Sequence, residues 1–154
     1  MSNDIHVLII EADFYRDISD ALLEGAKEVL DAADATYDTV QVPGCLEIPA
    51  AIRFAIKSME FMGGRRRYDA YVALGCVIRG ETSHYDTVSE ESARAIMDIS
   101  TQYCIAVGNG IITCENDDQA WARARKTEKN KGGGAAEAAL QMLTIKEKFG
   151  MFPR

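Results

Sequence analysis

Hydrophobic positions along this chain follow two alternating rhythms. Short apolar-rich runs over His6–Ala12, Thr36–Val42, Tyr71–Ile78 and Cys104–Thr113 read as strands. Between them, apolar residues recur at helical spacing over Ile18–Ala32, Glu47–Met62 and Thr87–Tyr103, and two further helices follow over Asp117–Arg125 and Ala135–Phe149. In the first helix Ile18, Leu22, Val29 and Leu30 form one stripe, which packs on the sheet, while Glu24, Lys27 and Asp31 face away. Such alternation predicts an α/β fold, a parallel sheet with helices on both faces. The run Tyr71–Ile78 has no polar alternation, as expected of a strand buried on both faces. Asp17 before Ile18, and Asn116 with Gln119 three residues on, read as helix-start signals. The stretch from Lys129 to Gly134 reads as a flexible break between the last two helices.

A length of 154 residues with 47% hydrophobic content fits one domain spanning 1–154. No apolar run approaches the ~20 residues that cross a bilayer, and the N-terminus lacks a secretory pattern, so the expectation is a cytoplasmic protein with no membrane partner. The net charge of −7 argues against a nucleic-acid partner, whose phosphates call for clustered Lys and Arg. Arg65–Arg67, after two glycines, reads as a solvated loop. Cys45, Cys76, Cys104 and Cys114 lack the spacing of a zinc site and are expected as free, mostly buried thiols, with no metal and no structural disulfide.

Chemistry is expected where buried strands end. Three post-strand segments would meet there: the loop at Phe14, the turn Pro43–Pro49 and the turn Gly80–His84. Phe14 reads either as core or as a plate for a planar heterocycle, and Glu47 either as a helix-start charge or as an acceptor for ligand hydroxyls. His84 at a strand end suits proton transfer, whereas His6, at the start of a strand, reads as structural. Backbone N–H groups of the turn carrying Gly80, Glu81 and Thr82 could cradle a phosphate, with Arg123 as the candidate guanidinium; the alternative for Arg123 is a solvated helix face. The glycines after Lys131 follow a helix and lack the Gly-Lys-Ser/Thr ending, so they are not a nucleotide-binding P-loop.

The segments Val42-Pro-Gly-Cys-Leu-Glu-Ile-Pro49, Ala73-Leu-Gly-Cys-Val-Ile-Arg-Gly-Glu-Thr-Ser-His-Tyr85 and Asn130-Lys-Gly132 together resemble the lumazine synthase family of riboflavin biosynthesis, over nearly the whole chain. The resemblance implies a flavodoxin-like three-layer domain with a four-stranded parallel sheet. It also implies condensation of a ribitylaminouracil with a dihydroxybutanone phosphate, with no cofactor. By motif position Phe14 would stack on the pyrimidine, the backbone of Cys45, Leu46, Val77 and Ile78 would hold ring and ribityl groups, and Glu47 would accept ribityl hydroxyls. Gly80, Glu81, Thr82 and Arg123 would hold the phosphate, and His84 would shuttle protons. The family forms homopentamers or assemblies of them, so Asn109 and Lys131 would come from an adjacent chain. Asn109 stands where the family commonly has Phe, and the linker Arg125–Asn130 lacks the glycines of shell-forming relatives, which favours a bare pentamer. A second reading is a catalytically weak pentamer of the same fold that stores lumazine or flavin. A third, a phosphoacceptor receiver module, fails because the strand ending at Ile78 leads into Arg79-Gly80 rather than an acceptor aspartate.

Overall fold

A computed structural model describes residues 4–63 and 67–151. Strands β1 (His6–Ala12), β2 (Thr36–Val42), β3 (Ala70–Ile78) and β4 (Ala106–Cys114) lie parallel in the order β2-β1-β3-β4. The apolar run of β3 earns its place between β1 and β4, because both of its faces are covered. On one face Val7, Ile9, Val72 and Leu74 pack against Leu22 and Leu30 of α1 (Arg16–Ala32), Ala120 of α4 (Asp117–Ala124) and Leu143 of α5 (Lys131–Lys148). On the other, Leu8, Ile10, Tyr71 and Ala73 meet Ile48 and Ile52 of α2 (Ile48–Ser58) and Val88 and Ile96 of α3 (His84–Tyr103). The result is a three-layer α/β arrangement, as the alternation predicted. Among the described residues no helix is long and apolar enough to cross a membrane.

Several boundaries move, each for a physical reason. Helix α1 starts at Arg16 with Tyr15 as its N-cap, so Asp17 is a first-turn acid rather than a cap. The single helix expected over Glu47–Met62 is α2 flanked by 3-10 turns, Cys45–Glu47 before it and Met59–Met62 after it. Helix α3 begins at His84, not Thr87, and β4 begins at Ala106 because Cys104 takes a left-handed conformation that closes α3. The glycines after Lys131 are not a flexible break: α5 starts at Lys131, and Asn130 caps it by accepting from the Gly133 N–H at 3.2 Å. The Asn116 cap forms as read, accepting from the Gln119 N–H at 2.9 Å. Gln119 in turn accepts from the Glu115 N–H, which makes the turn reciprocal. All four cysteines are free, three of them buried. Arg65 lies outside the described residues, as do the first three residues of the chain.

Candidate active site

The end of β3 sets the site. Strand β1 pairs with β3 only as far as Glu11 opposite Leu74, while β3 runs on beside β4 to Ile78. The last residues of β3 therefore overhang β1. Arg79 donates its N–H to the Cys114 carbonyl, which turns the backbone of Val77 toward β4 and that of Cys76 and Ile78 toward the open side. The Cys76 N–H is taken by the Cys45 sulfur. The amide groups of Ile78 are left facing a cavity.

That cavity, of about 450 Å³, is walled by Phe14 and Tyr15 after β1, by Gly44, Cys45, Leu46 and Glu47 after β2, and by Val77, Ile78, Gly80, Thr82 and His84 after β3. It thus draws on all three segments that sequence placed at the strand ends. Phe14 is 75% exposed and meets Tyr15 edge-on at 4.9 Å, so it is a free plate and not core. The turn bearing Glu47 sits close to the sheet because Gly75 has no side chain, and a Cβ there would drive into the Cys45 sulfur. Among the described residues neither the Glu47 carboxylate nor the His84 imidazole has a hydrogen-bond partner, so both are available to a ligand. His84 is the first residue of α3, and its N–H donates to the Thr82 hydroxyl at 3.2 Å. Glu81 is exposed and does not line the cavity.

The two thiols at the cavity, Cys45 and Cys76, are buried. Burial pushes Cys45 up to about 11 and Cys76 up to about 12, so both stay protonated at neutral pH. Among the described residues no group of three or more His, Cys, Asp or Glu could hold a metal.

A second concavity lies along the outer edge of β4. Asn109, Thr113, Arg123 and Lys131 line it, bringing two cations together in a chain of net charge −7. Arg123, half-buried, donates through Nη1 to the Gln119 carbonyl of its own helix at 3.1 Å. The sequence grouping of Arg123 with Gly80, Glu81 and Thr82 does not form within one chain. The C-terminal turn of α4 and the first turn of α5 face the free edge of β4, so Arg123 keeps company with Asn109 and Lys131 instead. Asn109 folds back to accept from the Ile111 N–H at 2.9 Å, an edge amide that no strand uses. The backbone of Val77 turns toward β4, and Val77 also lines the cavity.

Sequence reasoning passed over Tyr15, Cys76, Tyr85 and Val88, which also line the first cavity. Tyr15 and Tyr85 are the immediate neighbours of residues it did select, and Val88 follows His84 at helical spacing.

Comparison with known proteins decides the family. The sequence model described as 6,7-dimethyl-8-ribityllumazine synthase matches residues 4–147. The chain belongs to this family. It is similar to 6,7-dimethyl-8-ribityllumazine synthase 1 of Rhizobium meliloti (strain 1021), 59% identical over 146 residues, covering 95% of this chain and 94% of that one. The lumazine synthase of Bartonella henselae is 58% identical over 146 residues, covering 95% and 91% of the two chains. That of Nitrobacter hamburgensis is 60% identical over 141 residues, covering 92% and 85%. Lumazine synthase relatives thus match across both concavities.

Proposed function

We propose that this chain is a working lumazine synthase, one domain of riboflavin biosynthesis that joins 5-amino-6-(D-ribitylamino)uracil to 3,4-dihydroxy-2-butanone 4-phosphate. The observation that carries it is the meeting of Phe14, Glu47, the open Ile78 amides and His84 around one cavity. Phe14 offers its face to the pyrimidine, and the unpaired backbone at the end of β3 offers the donor and acceptor a cyclic amide needs. Glu47 accepts ribityl hydroxyls. The turn Gly80–Thr82 ends beside the start of α3, where bare N–H groups and the helix dipole favour an anion such as the phosphate.

The uracil amine adds to the ketone, water is lost, phosphate leaves, and the ribitylamino nitrogen closes the second ring with loss of another water. Each step moves a proton, and His84 at the cavity mouth is the group to move it. Holding the two reactants in register accounts for most of the acceleration, since orientation is worth ~7–11 kcal/mol and one proton-transfer group about 10²–10⁴-fold.

The cationic concavity on the β4 edge completes the site from a neighbouring copy. Arg123, Asn109 and Lys131 reach the substrates from the adjacent subunit as one group, in a homopentamer. Arg123 then faces the phosphate across the interface, which reconciles its motif role with its place on the β4 edge. The protein acts in the cytoplasm without a cofactor.

The test is to mix purified protein with both substrates and follow the fluorescent lumazine beside an enzyme-free blank and an Arg123→Ala variant. Formation well above the blank, cut sharply in the variant, supports the proposal. A rate equal to the blank from a folded protein overturns it.

A further inference from the structure

The turn Gly80–Ser83 carries the phosphate-facing amides and leads into His84, yet little of its own chemistry holds it in place. Within one chain all four residues are exposed, and among the described residues Gly80 and Glu81 make no hydrogen bond. The bonds inside the segment are local ones, His84 N–H to Thr82 Oγ1 and Thr87 N–H to the Ser83 carbonyl. Ser83 provides no side-chain cap for α3. An exposed segment with so few contacts should fray, and fraying would blur the position of His84.

Arg79, the residue before the turn, reaches across to its far side. Its Nε donates to Glu115 Oε2 at 2.7 Å, its Nη1 lies 3.6 Å from Asp86 Oδ1, and its guanidinium stacks 4.2 Å from the centre of the Tyr85 ring. Tyr85 and Asp86 follow His84 directly, and Tyr85 lines the cavity. The Arg79 N–H is bonded to the Cys114 carbonyl, so both ends of this residue are anchored at the end of β4. Arg79 itself does not line the cavity.

We infer that Arg79 is a positioning residue for the reaction, a staple that closes the turn Gly80–His84 from behind by joining its entry to its exit. The inference rests on the synthase reading of this site. Single exposed ion pairs are weak, but here one planar group meets two carboxylates and an aromatic face at once, a geometry that lysine cannot reproduce. The hydrogen bond that Arg79 donates to Glu115 and the charge of Asp86 raise the affinity of Arg79 for its proton, so the staple stays charged.

The experiment compares the unaltered protein with Arg79→Ala, Arg79→Lys and Glu115→Gln by hydrogen exchange and by steady-state kinetics. The hydrogen-bonded amides of His84 and Thr87 are expected to exchange faster in Arg79→Ala, with core-strand protection unchanged. In the same variant kcat/KM is expected to fall about 10–100-fold, the KM for the butanone phosphate rising along with the drop in kcat, since misplacement by about 1 Å can cost 10²-fold. Arg79→Lys should recover part of this, and Glu115→Gln should show a milder form of it. A loss of folded protein alone would lower apparent kcat and leave KM untouched. Unchanged exchange at His84 and Thr87 overturns the staple, and faster exchange with unaltered kcat/KM overturns its role in the reaction. If the unaltered protein makes no lumazine, the synthase reading fails and takes the reaction role with it, while the exchange comparison still decides whether Arg79 holds the turn.

Discussion

Gly132, in the first turn of α5, lies against the carbonyl oxygen of Leu22 in α1 so closely that any Cβ at position 132 would overlap it. This contact fixes the separation of the two helices and the height of Lys131 on the β4 edge. Gly132→Ala forces the helices apart, and overpacking of this kind costs about 1–3 kcal/mol. Urea unfolding of the variant should show that loss, and a midpoint within error of the parent would contradict the packing account.

Phe14→Ala separates binding from stability. The ring is largely exposed, so unfolding free energy should change by no more than about 0.5 kcal/mol. Stacking on a nucleobase-like ring is worth about 1–3 kcal/mol, so KM for the ribitylaminouracil should rise roughly 5–150-fold. Measuring KM for both substrates checks this, because the ketone phosphate should be little affected.

His84→Ala should remain active. Loss of one proton-transfer group is expected to lower kcat by about 10²–10⁴-fold and leave a rate above the blank, because orientation by the rest of the cavity survives. Complete loss in a folded variant would shift the weight of catalysis onto the imidazole.

The proposed sharing of each site between two copies predicts complementation. Unfolding and co-refolding equal amounts of His84→Ala and Arg123→Ala should restore activity above either parent, since about a quarter of randomly formed interfaces then carry both intact residues. A mixture that gives only the average of its parents would place both residues in one chain's site.

Acid stability carries a signature at the other end of the sheet. The Tyr68 hydroxyl donates to Asp38 Oδ2 at 2.7 Å, and this bond, opposed by slight burial and aided by His6, lowers the Asp38 carboxyl below its ordinary 3.8. A lowered acid stabilises the fold above its unfolded value and loses that contribution as pH falls through the folded one. Tyr68→Phe should therefore reduce thermal stability at about pH 6, and its deficit should shrink below roughly pH 3.8. Melting curves at both pH values test the sign, and a deficit that grows in acid would reverse it.

The buried run of β3 and the stripe of α1 were legible because periodicity reports burial directly. The start of α5 was not, since three glycines signal a break unless the partner surface is known, and here that surface is the backbone of α1. The periodicity of α3 is readable only from Thr87, whereas the helix begins one turn earlier at His84. Phe14, Glu47 and His84 could be grouped from strand ends alone. The place of Arg123 could not, because it depends on how α4 leans over the edge of β4, a long-range fact with no local period.

The overhang of β3 has a consequence for how this protein will respond to mutation. At Ile78 the groups facing the cavity are peptide amides, which every amino acid except proline supplies alike. A substitution scan would register this strand end as tolerant of side-chain exchange and score its importance as ordinary packing. The ligand contacts proposed for this main chain are invisible to such a scan, and only a backbone edit, such as proline or an ester in place of the Ile78 amide, would test them.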